Sequence, residues 1–114
     1  MWKGESLLLI KTELTTKMNF EEFSATLSAE AAPALSQHLE ALWWDAKGDW
    51  DKAHHLADRV IQDRDGDWIH AYLHRKEGDS FNAGYWYNRA AKPRFQGSLD
   101  EEWEELVRYF LQKG

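Results

Sequence analysis

Cysteine is absent from this 114-residue chain, and proline occurs only twice. Without cysteine there is no disulfide framework, no thiolate zinc site and no thiol nucleophile. Long apolar runs are missing as well. The longest, Leu7-Leu8-Leu9-Ile10, is too short for a signal-peptide core or a membrane span. No Lys/Arg cluster or basic stripe occurs either; 14 basic residues face 20 acidic ones, for a net charge of −6. That balance argues against nucleic acid and anionic membranes as partners. A soluble, cytoplasmic protein is the expectation.

Aromatic residues, by contrast, are abundant: seven Trp, four Tyr and five Phe. Large rings bury much area per residue and compensate for modest chain length. Most are expected in the core, with one or two left for a binding surface.

Gly-Asp-x-x-x-Ala occurs three times, as Gly48-Asp49…Ala53, Gly66-Asp67…Ala71 and Gly78-Asp79…Ala83. Glycine readily takes the left-handed conformation that ends a helix. Aspartate caps the free N–H groups that open the next one, and an alanine on the first turn lets a second helix cross closely. Each motif therefore reads as a stop, a start and a contact point between short helices.

Residues 1–17 stand apart as an N-terminal extension, poorly ordered or non-native, within which 5–14 fits a short strand or an amphipathic turn. Met18 is a candidate natural start, followed by Asn19 and Glu22 at capping-box spacing. Residues 18–114 read as a single domain of five or six short helices. Phe20, Phe23 and Leu27 recur at helical spacing, and Pro33 suits the opening turn of a second helix. Further helices are expected over 49 to about 62, 67–77 and 79–91. The last opens on Ser98 and Glu101, another capping box, and its acidic start (Asp100 to Glu105) reads as a solvated face.

An offset of thirty residues superposes Ala41 on Ala71, Gly48-Asp49 on Gly78-Asp79, Ala53 on Ala83 and Arg59 on Arg89. The stretch Gly48-Asp49-Trp50-Asp51-Lys52-Ala53 resembles the turn between the two helices of a tetratricopeptide repeat. The segment from Asn82 to Ala91 resembles the second helix of that family and of Sel-like repeats. The chain is also similar to small bacterial proteins of no established activity that carry His-Ala-Tyr-Leu-His-Arg-Lys-Glu-Gly-Asp, here at 70–79. The resemblance implies an all-α fold of two tetratricopeptide-like hairpins over 34–91, with flanking helices as caps. The Lys and Asn residues with which chaperone-binding members clamp a terminal carboxylate are missing. In their register stand His38, Leu42, Trp68 and Tyr72.

His70 and His74 are four apart on one helix face, the spacing of a metal-binding pair. The zinc-hydrolase motif His-Glu-x-x-His is absent, because Ala71 follows His70. The alternative for both is a buried, hydrogen-bonded role, with Asn82, Tyr85 or a backbone carbonyl as partner. His54 and His55 are adjacent and point about 100° apart on a helix, so neither receives a role. Asp45, Asp49 and Asp51 read as one cap plus exposed helix-end acids, and no catalytic motif is recognised.

The function implied by the resemblance is a protein- or peptide-interaction module, as adaptor or homo-oligomer subunit, a homodimer included. Its binding residues are expected to be Trp44, Trp68, His70, Tyr72, His74, Arg75, Tyr85 and Arg89, since Trp, Tyr and Arg dominate hot spots. No cofactor and no catalytic residue is assigned, and His70 and His74 are the weak metal candidates. The competing expectation is a small-molecule or metal-binding protein with a polar site around His70, His74 and Arg75.

Overall fold

The computed structural model describes residues 18–113, all helical with no strand among them. The expectations for residues 1–17 lie outside the described residues. Helix α1 (Phe20–Ala25) opens on the capping box read from the sequence: Glu22 N–H donates to Asn19 Oδ1 at 2.7 Å, and Asn19 N–H to Glu22 Oε1 at 2.9 Å. A 3-10 turn (Thr26–Ser28) follows. Helix α2 (Gln37–Ala46) begins later than Pro33 suggests. Ser36 Oγ accepts from Leu39 N–H and caps it, leaving Pro33 in the link.

Helix α3 (Trp50–His55) runs on as a π-helical turn (Leu56–Val60), closed by Ile61 N–H to Leu56 O at 2.8 Å. Helices α4 (Arg64–Lys76), α5 (Ser80–Ala90) and α6 (Leu99–Lys113) complete the chain. The Ser98–Glu101 box at the start of α6 forms as expected.

Two of the three glycine motifs behave alike. Gly48 and Gly78 have φ of 89° and 83°, and the aspartate after each accepts the N–H three residues on. The third does not. Asp63 caps α4, and Gly66 lies inside the helix, its N–H donating to Asp63 Oδ1 at 2.7 Å. A Cβ on Gly66 would collide with the Ile61 side chain, so this glycine serves close approach, not helix termination. Ala53, Ala71 and Ala83 are all buried, as close helix crossing requires.

The core gathers Phe23, Leu42, Trp43, Ile69, Leu73, Tyr87, Leu106 and Val107 from five helices. Helix α6 lays its apolar stripe across α2 and α4, with Trp103 Nε1 donating to Leu42 O at 3.0 Å. No described helix is long and apolar enough to cross a membrane.

Candidate metal centre

Helix periodicity places His70 and His74 on the face of α4 that turns towards α3. Capping of α3 by Asp49 fixes the phase that brings His54 to the same place. Trp50 locks the two helices together by donating its indole N–H to Leu73 O at 2.9 Å. The result is a cluster of three imidazoles, each offering one nitrogen, with all three nitrogens within 4.8 Å of one another. His54 Nε2 and His70 Nε2 are 2.9 Å apart. One ring must donate and the other accept, so this contact cannot survive protonation of both.

Indoles enclose the cluster. Trp86 stacks on His70 at 3.8 Å between centroids, and Trp50 stacks on His54 at 4.6 Å. His70 is buried, whereas His54 and His74 are half-buried. Burial pushes the His70 imidazole down from 6.5 to about 4, reinforced by the neighbouring His54 and His74 and opposed by Asp58. Burial, then His74, lowers His54 in the same direction. The His54 and His70 rings are therefore held as neutral imidazoles at neutral pH, the form that ligates a metal. His74 Nδ1 is buried without a hydrogen-bond partner, and the nearest carboxylate oxygen, Asp79 Oδ2, is 3.7 Å away.

The other expected binding residues are dispersed. Arg75 does not join the histidines: being next to His74 it points elsewhere on the helix, and Nη1 pairs with Glu102 Oε1 at 2.7 Å while Nη2 donates to Gly97 O. Trp68 and Tyr72 are core residues, 4% and 2% exposed. The interaction face expected through them is not at the surface, because α6 covers that side of α4. Their polar atoms are spent inside, Trp68 Nε1 on Glu102 and Tyr72 Oη on Asp45. Trp44 is half-buried, donates to Glu40 and lies under the Lys52 ammonium. Tyr85 is exposed, and Arg89 faces Asp67 and the Trp86 ring. The expected partners of His70, namely Asn82, Tyr85 and a backbone carbonyl, give way to His54.

Sequence reading misses three residues here. His54 is missed because only the packing of α3 on α4 brings it to the pair. Glu102 and Asp45, read as solvated acids, are buried. Glu102 accepts from Trp68, Tyr87 and Arg75, and Asp45 from Tyr72 and Lys76. No family model, curated protein or solved structure matches this chain.

Proposed function

We propose that this chain is a metal-binding protein that holds one divalent transition-metal ion, such as zinc, on His54, His70 and His74. The observation that carries this reading is the convergence of three imidazole nitrogens within 4.8 Å, from two separate helices. Nitrogens on a tetrahedral zinc ion lie about 3.3 Å apart, from bond lengths of about 2.0–2.1 Å. The 2.9 Å separation of His54 and His70 brackets that spacing from below, and the outer limit of the cluster brackets it from above.

Several features of the chain support the assignment. An all-imidazole site without cysteine suits zinc, copper or nickel more than calcium or magnesium. The two indoles stack on His54 and His70 and fix the orientation of those rings. Asp79 Oδ2 stands 3.7 Å from His74 Nδ1, beyond hydrogen-bond distance but on the side where a ligating histidine commonly has a carboxylate neighbour. When bound, an ion on three imidazoles supplies a Lewis-acidic centre with a position open to water or a small anion. We read the helices that carry the site as two tetratricopeptide-like hairpins, because Gly48-Asp49 and Gly78-Asp79 make the same turn in each.

Isothermal titration of dialysed protein with zinc tests the proposal, with cobalt absorption as a geometric readout. A stoichiometry of one is expected, and His70→Ala, His54→Ala and His74→Ala should each weaken binding at least about tenfold. Cobalt should give the intense visible bands of a four-coordinate ion. No saturable binding by wild type, or binding that all three variants retain, would remove the reading.

A further inference from the structure

Phe81 is 84% exposed and Tyr85 51%, the two most exposed large hydrophobic side chains among the described residues. They are four apart on α5, so they form one ridge on its outer face. Nothing among the described residues accounts for an aromatic ring left almost wholly in water. A groove of about 390 Å³ runs beside the ridge, lined by Phe81, Gly84, Tyr85, Asn88, Lys92 and Arg94 among others, with no Asp or Glu.

The cations of this groove are held in place. Arg94 Nη1 reaches Ser80 Oγ at 3.3 Å, and Nη2 donates to Ser80 O at 3.2 Å. Its guanidinium lies over Gly84, where a Cβ would collide with it. No carboxylate pairs with it among the described residues, whereas Arg59, Arg75, Arg89 and Arg108 each face one. Lys92 is fixed over the rings of Trp68 and Tyr109, also without a carboxylate. In a chain of net charge −6, this surface is aromatic and cationic, and it is already ordered. Ordered side chains lose little entropy on docking.

The chain also carries the complement. Asp100, Glu101 and Glu105 are exposed at the start of α6, with Glu101 and Glu105 on one face, and neither Asp100 nor Glu105 has a cationic partner among the described residues. We propose that the α5 ridge is a self-association surface. A second copy of this chain docks on it, and the acidic start of the partner's α6 faces Lys92 and Arg94. In a two-fold dimer the contact is made twice, since each copy gives one surface and receives the other. Phe81 and Tyr85 supply the buried centre and the charges set orientation.

Sedimentation equilibrium of the full chain, with chelator present, tests this from micromolar to submillimolar concentration at low and high salt. A reversible monomer–dimer equilibrium that weakens with salt is expected. Phe81→Asp and Arg94→Glu should each lower the association constant at least about tenfold, with helical circular dichroism unchanged. Reversing Glu101 and Glu105 to lysine should weaken association similarly, and adding Lys92→Glu and Arg94→Glu to that variant should restore it in part. A monomer at every concentration in low salt would overturn the proposal. So would a dimer indifferent to both Phe81→Asp and Arg94→Glu, and absence of any recovery in the charge-swapped chain would overturn the pairing with α6.

Discussion

Glu102→Ala is expected to lower the unfolding free energy by about 3–5 kcal/mol, the cost of breaking a buried ion pair from one side. Glu102 is fully buried and accepts three donors from two other helices. Tyr87 Oη donates at 2.6 Å, Arg75 Nη1 at 2.7 Å and Trp68 Nε1 at 3.1 Å. Alanine strands all three donors and leaves Arg75, three-quarters buried, without its counter-ion. Glutamine fills the space but offers one acceptor where the carboxylate offers two, so its cost should be smaller, about 1–3 kcal/mol. Urea denaturation reads both values. Losing Arg75 as well removes the stranded charge, so Arg75→Met combined with Glu102→Ala should cost less than the sum of the singles. A change below about 1 kcal/mol for Glu102→Ala would show that the carboxylate is not the tie between α4, α5 and α6.

The second large effect is an acid-dependent loss of stability in metal-free protein, centred on His70. Its imidazole titrates near 6.5 in the unfolded chain and is held down to about 4 in the folded one, chiefly by burial. Above 6.5 both states are neutral and the folded state suffers no penalty. As pH falls through the window between these values the unfolded chain takes up the proton first, so stability declines until His70 protonates in the fold. The full excursion is about 3 kcal/mol, taken from 1.36 kcal/mol per unit. His54, lowered in the same direction, adds to the slope. Asp63 and Asp79 are held below 3.8, so their contributions are lost only at still lower pH. Denaturation series with chelator across this window should show His70→Gln with a visibly flatter dependence than wild type. Parallel curves for the two proteins would remove His70 as the source. Added zinc should steepen the wild-type dependence, because protons and metal compete for the same nitrogens.

Local signals carried the fold further than they carried the site. Helix caps are interactions between residues three apart, so Asn19–Glu22, Asp49, Asp79 and Ser98–Glu101 were readable from spacing alone. Gly66 misled because its neighbour Asp67 imitates a cap, whereas Asp63 had the cap's place one turn earlier. The His70–His74 pair was legible for the same local reason as the caps. Its third member was not, since His54 is sixteen residues before His70 and only the packing of two helices joins them. Burial of Glu102 was hidden by its setting: four exposed or half-exposed acids surround it in sequence, and nothing local distinguishes the one that turns inward. Trp68 and Tyr72 show the reverse error. Their residue types favour binding surfaces, but α6 claims that side of α4 for the core.

The stacking of Trp86 on His70 and of Trp50 on His54 has a spectroscopic consequence. An imidazolium in van der Waals contact quenches indole emission, and a neutral ring does so far less. Each of these histidines thus carries its own optical reporter, at 3.8 Å and 4.6 Å. Protonation of the cluster should dim the emission while the far-ultraviolet signal still shows intact helices. The molecule can then report the charge of its histidine cluster separately from its unfolding, with no label attached.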